Sequence, residues 1–126
     1  MIRLCQLAAM VLLGSVFAMA ASPSKAGDCG YDYCWGAVAV NTSGGYGFSY
    51  GQISEDAAIS VAQDGCGWNC TTVRSFYNSC AAIAMADNGG WGWAYEVSRD
   101  LAESSAMNYC MDYGRNCRVV VWSCSP

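Results

Sequence analysis

Nine cysteines, ten carboxylates and no histidine set the chemistry open to this 126-residue chain. Without histidine neither a Ser-His-Asp triad nor a Cys-His pair can be built, and no imidazole can hold a metal. The carboxylates are Asp28, Asp32, Glu55, Asp56, Asp64, Asp87, Glu96, Asp100, Glu103 and Asp112. Most fall at helix starts, exposed helix faces or turns, where capping and solvation account for them. Glycoside hydrolysis needs two carboxylates across one cleft, and no spacing here selects such a pair. A hydrolase is the least favoured reading, and neither catalytic residues nor a cofactor are expected.

Metal chemistry fares no better. Zinc held by thiolates calls for close pairs such as C-x2-C, and none occurs. Asp28-Cys29-Gly30-Tyr31-Asp32 lacks the regular oxygen spacing of a hand-type calcium loop. No metal site is expected. The aromatic residues offer more. Tyr46, Phe48 and Tyr50 alternate along one segment, and Trp91, Trp93 and Tyr95 along another. In extended chain each trio shares one face, and together the six are the candidate binding face. The competing assignment is an ordinary sheet covering or core.

The first residues read as an address. Met1-Ile2-Arg3 gives a short positive start, Leu4 to Phe17 is nearly all apolar, and Ala18-Met19-Ala20 offers an A-x-A cleavage site. Residues 1–20 are expected to be a signal peptide, with Ala26 as a second boundary. The run falls short of the roughly 20 apolar residues a spanning helix needs, so no membrane anchor is expected after cleavage. Export then leads to the periplasm or beyond the cell. Removing residues 1–20 leaves ten carboxylates against five cations, a net charge of −5. It also leaves eight cysteines: Cys29, Cys34, Cys66, Cys70, Cys80, Cys110, Cys117 and Cys124. An even number in a small exported chain reads as a disulfide framework.

What positions these residues is an internal duplication. Residues 36–50, GAVAVNTSGGYGFSY, align without a gap on residues 81–95, AAIAMADNGGWGWAY. After one dropped residue, Ser54 to Cys66 align on Ser98 to Cys110. Residues 27–126 are therefore expected to be a single domain of two repeats, about 35–79 and 80–124. Trp35 to Val40 and Cys80 to Met85 are apolar runs of strand length. Asn41 to Gly45 and Asp87 to Gly90 are turn signals, so each strand should fold back as a hairpin. Tyr46 to Tyr50 and Trp91 to Tyr95 return with a period of two.

A helix should follow in each repeat, capped by Ser54 or Ser98 with acidic residues in its first turn. Ala58, Ala62 and Cys66, and likewise Ala102, Ala106 and Cys110, line one helical face with small residues. Thr71 to Tyr77 and Arg118 to Ser123 supply a third strand. The expected fold is α+β: a strand-strand-helix-strand unit used twice, forming a mainly antiparallel sheet with helices on one face. In each repeat one cysteine closes the helix and another opens the last strand, which favours Cys66–Cys70 and Cys110–Cys117. Cys80 and Cys124 end corresponding strands and could pair across the repeats, leaving Cys29–Cys34 by elimination. This is one arrangement of the 105 that eight cysteines permit.

The motifs Trp35-Gly36-Ala37-Val38-Ala39, Cys80-Ala81-Ala82-Ile83-Ala84 and Cys117-Arg118-Val119-Val120-Val121-Trp122-Ser123-Cys124 carry a resemblance. So do the Gly-aromatic-Gly strand and the Ala-rich helices ending in Cys66 and Cys110. The chain resembles the exported bacterial domain-of-unknown-function family 4189, over roughly residues 33–125. That resemblance implies export and a disulfide-stapled fold, and it transfers no catalytic residues.

Function is read from what is left. Acidic charge disfavours nucleic acid and anionic lipid as partners and favours a basic protein. The expectation is an exported, non-enzymatic binding or interaction domain, an inhibitor or immunity-type protein in its specific form. The alternative is glycan or peptidoglycan binding through the aromatic face.

Overall fold

The computed structural model describes residues 27–126. The leader expected over residues 1–20, with its second boundary at residue 26, lies outside the described residues. Eight elements follow in two matching sets. The first repeat contains β1 (Trp35–Val40), β2 (Tyr46–Gln52), α1 (Glu55–Gly65) and β3 (Thr72–Tyr77). The second contains β4 (Ser79–Met85), β5 (Trp91–Glu96), α2 (Arg99–Met111) and β6 (Arg118–Ser125). The strand-strand-helix-strand order therefore recurs, and each copy makes its own three-stranded antiparallel sheet. Their strand orders are β2-β1-β3 and β5-β4-β6.

Local chemistry explains the boundaries. The Ser54 side chain accepts the Ala57 N–H at 3.1 Å and Ser98 accepts that of Leu101 at 3.3 Å. Each caps the first turn of its helix. Asn41 closes the first hairpin by accepting the N–H groups of Ser43 and Gly45 at 3.0 and 2.7 Å. Gly89 closes the second with φ of 85°, in the left-handed region that glycine tolerates best.

Each helix lies on the small-residue face of its own sheet. Ala58 and Ala62 of α1 pack with Ala37 and Ala39, and Ala102, Ala106 and Cys110 of α2 pack with Ala82, Ala84 and Ala94. Gly47 and Gly92 allow this approach. A Cβ at Gly47 would collide with the Ala62 carbonyl, and one at Gly92 with the backbone of Ala106 and Cys110.

The other faces of the two sheets meet. Val38, Val40 and Phe76 from the first sheet interlock with Ala81, Ile83, Met85 and Val121 from the second. The layers run helix, sheet, sheet, helix, and the larger apolar side chains sit between the sheets. Polar ties close the stack where β2 meets β6: Ser123 Oγ donates to the Ser49 carbonyl at 2.9 Å, and Ser125 Oγ accepts the Gly51 N–H at 2.9 Å.

Four disulfides join Cys29–Cys34, Cys66–Cys70, Cys80–Cys124 and Cys110–Cys117; the second and fourth are the pairs favoured by the repeat, and the first is the pair left by elimination. Cys66–Cys70 and Cys110–Cys117 tie each helix end to the chain that leads into the next strand. Cys80–Cys124 links β4 to β6 within the second sheet, so it bridges neighbouring strands and not the two repeats. The segment before β1 is held by Cys29–Cys34 and by Ser125 Oγ, which donates to the Cys34 carbonyl at 2.8 Å.

Candidate functional site

The six aromatic residues do not form one surface. β2 lies beside β6 and β5 beside β3, so the two stripes flank the sheet stack on opposite sides. Tyr46, Phe48 and Tyr50 are exposed along β2. On β5, Trp91 and Trp93 are half-buried against the core between the sheets, while Tyr95 stands 61% exposed. In both strands the aromatic side chains point away from the helix of their own repeat, because Gly47 and Gly92 occupy the helix side.

Around β5 the rings become part of a cleft. It has a volume of about 970 Å³ and runs the length of the strand, from Gly89 to Glu96. Tyr109, in the last turn of α2, and Tyr113, in the turn that follows, form its other side. Both tyrosines are exposed, and Trp93 and Tyr95 pack at a ring-centroid distance of 5.6 Å. The Tyr113 carbonyl accepts from Asn88 Nδ2 at 3.1 Å, which joins that turn to the β4–β5 hairpin. The Cys110–Cys117 bridge fastens the same turn from below.

Charge is sparse here. Glu96 is the charged residue lining the cleft, and it accepts from Ser105 Oγ at 3.2 Å. Behind the tryptophans lies Arg74 of β3, its guanidinium 4.9 Å from the Trp91 ring centroid and 5.9 Å from that of Trp93. The one cation thus lies within cation–π reach of both indoles. Among the described residues, no group of three or more Cys, Asp or Glu is placed to hold a metal ion.

Tyr109, Tyr113, Arg74 and Glu96 are additions to the residues the sequence singled out. One signal could have found the tyrosines. In the repeat alignment Gly65 occupies the position of Tyr109, and Gly65 lies directly against Gly47. The first repeat thus has no ring where the second has a wall. The four stripe residues Tyr46, Phe48, Tyr50 and Tyr95 are solvent-facing, and Tyr95 alone among them lines the cleft.

Residues 35–124 match the model of a family described as a domain of unknown function, DUF4189. The chain belongs to this family. The match spans both repeats, from the first residue of β1 to Cys124 in β6, so the family unit is the duplicated fold itself. The NMR structure of Rv1813c from Mycobacterium tuberculosis is similar, with 24% identity and a TM-score of 0.59 over 98% of this chain and 97% of that one. At that identity the likeness shows the fold. No curated protein matches the chain.

Proposed function

We propose that this member of the DUF4189 family is an exported, non-enzymatic binding module that receives a partner protein in the cleft along β5. The observation that carries this reading is the gathering of five rings, Trp91, Trp93, Tyr95, Tyr109 and Tyr113, around one open groove. Tyrosine and tryptophan bring large contact area and a polar tip, and they are enriched where proteins bind one another. Export is supported by the leader-like first residues and by four disulfides, which persist in oxidising compartments. Among the described residues no helix is long and apolar enough to cross a membrane.

The non-enzymatic reading is supported by what five of the ten carboxylates already do. Glu55 accepts from Ser75, Glu96 from Ser105, Asp64 from Trp68 and Asp87 from Asn116, and Glu103 pairs with Arg99. A single carboxylate in the cleft does not supply the pair that glycoside hydrolysis uses. A net charge of −5 after cleavage favours a basic partner. An inhibitor or immunity-type protein that occludes a basic exported enzyme is the specific form of this reading. The exposed faces of Tyr95, Tyr109 and Tyr113 favour a second reading, stacking on cell-wall glycan.

The test compares oxidised wild-type protein with the double variant Tyr109→Ala/Tyr113→Ala. Both would be applied to native envelope and medium fractions and to purified cell wall. The variant should keep its thermal midpoint and lose the saturable protein partner. Equal capture by both would overturn the cleft as the site. Selective pelleting of wild type with the wall would move the assignment to glycan.

A further inference from the structure

The two sheets have four outer strands; two of them are bulged and a third carries a charge in its middle. β2 carries an extra residue at Tyr50–Gly51, where Gly51 has φ of 63° and gives its N–H to Ser125. β6 carries Val120 as an extra residue and begins with Arg118. β3 has Arg74 in its middle. Bulges, charges and short lengths are the means by which sheet edges avoid pairing with other chains. β5 is also short and ends in the charged Glu96, but it has no bulge and no charge within its first five residues. It pairs with β4 in unbroken register from Cys80↔Glu96 to Met85↔Trp91, with no charge and no proline from Trp91 to Tyr95.

The parity of this pairing decides which backbone groups face outward. The Ala86 N–H donates to the Gly90 carbonyl at 2.7 Å, so these two residues form a hydrogen-bonded pair. Antiparallel pairs alternate between bonded and non-bonded. Gly92 and Ala94 therefore spend their backbone groups on β4, and Trp91, Trp93 and Tyr95 turn N–H and C=O away from it. The outer edge of β5 pairs with no strand among the described residues. That row of donors and acceptors, repeating every two residues or roughly 7 Å, forms the floor of the aromatic cleft.

The geometry points to a strand-addition site: an extended segment of a partner protein pairs with β5 as a fourth strand of the β5-β4-β6 sheet. This rests on the binding reading above and names what enters. A strand in this position sends alternate side chains toward Trp93 and Tyr95 on one side and toward Tyr109 and Tyr113 on the other. Both sides favour apolar or aromatic residues. Glu96 closes one end, so the segment carries lysine or arginine there. With antiparallel pairing, the cation sits at the segment's N-terminal end. Main-chain pairing supplies affinity, and the side-chain pockets supply selectivity.

The probe is the capped peptide acetyl-Lys-Val-Thr-Val-Thr-Val-amide, titrated to millimolar concentration into oxidised, 15N-labelled protein. Two further peptides carry N-methyl groups on alternate residues, one on each parity. The amide signals of Trp91, Trp93 and Tyr95 should shift. One N-methyl parity should weaken binding by about tenfold, the worth of one or two lost hydrogen bonds, and the other should leave it nearly unchanged. Tyr95→Pro removes an outward N–H without removing a β4 bond, so it should fold, keep its thermal midpoint within a few degrees and lose the peptide. Tyr95→Ala loses the ring but keeps the N–H, so it should bind the peptide more weakly than wild type and more tightly than Tyr95→Pro. Equal loss from both N-methyl parities overturns strand addition. So does a cleft that responds to an N-acetylglucosamine tetramer and not to the peptide, although the binding reading then survives. Silence to both probes ends both readings. Self-association that Tyr95→Pro abolishes would make a second copy the occupant, and overturns the assignment to a partner.

Discussion

The Arg74 guanidinium, from the first repeat, lies 4.9 Å from the centre of the Trp91 ring, from the second. It is one point, beside the packing of Trp91 and Trp93 on the core that includes Val38, Val40 and Phe76, at which the first repeat supports the cleft of the second. A half-buried cation–π contact is worth about 1 kcal/mol. Arg74→Gln should therefore lower the thermal midpoint by about 4–8 °C. Tryptophan emission should change at the same time, because Trp91 and Trp93 lose the cation beside them. A lowered midpoint with unaltered emission would assign the effect to β3 alone.

Gly92→Ala tests the close packing of α2 on β5. The added Cβ meets the backbone of Ala106 and Cys110, and backbone atoms cannot swing aside as a side-chain end does. Overpacking of this kind costs about 1–3 kcal/mol, read as a lowered denaturation midpoint with an unchanged slope. Gly47→Ala should behave alike against the Ala62 carbonyl. A surface glycine such as Gly44, with φ of 86° and open space around it, should lose less to packing and more to backbone strain.

The bridges should differ in worth. Cys80–Cys124 spans 44 residues of sequence and Cys29–Cys34 spans 5. In the chain-entropy account the longer loop stabilises by about 2 kcal/mol more. Replacing Cys80 and Cys124 by alanine should accordingly lower stability further than the same change at Cys29 and Cys34. Chemical denaturation of the two oxidised double variants measures the difference.

Ser54→Ala and Ser98→Ala should each cost about 1 kcal/mol, since each removes the side-chain acceptor at a helix start. Asparagine or aspartate at either position should restore most of it. Paired denaturation curves check both statements.

Much of this architecture is legible in the residues. The run Trp35–Val40 and the turn at Asn41–Gly45 place β1 and its hairpin, and Ser54 and Ser98 mark helix starts that the caps reproduce. The alternation of Gly and Ala with aromatic residues along β2 and β5 says which face receives the helix. Other features need the third dimension. Val38, Val40 and Ile83 alternate with small residues in a pattern that states burial but not its partner. One continuous sheet and two stacked sheets satisfy it equally. Tyr109 and Tyr113 flank a cysteine at a helix end and read as ordinary exposed residues. They become a wall only because α2 crosses β5, and that crossing depends on Gly92. The extra residues in β2 and β6 leave no composition signal that would distinguish them from regular strand.

The Cys80–Cys124 bridge closes a covalent ring around the whole second repeat. Both sides of the cleft, β5 and the end of α2, belong to that ring. A protease that severs any one peptide bond between Cys80 and Cys124 opens the ring without separating the pieces. The two pieces therefore stay joined after a first cut, and two cuts are needed before any part of the cleft can leave the molecule.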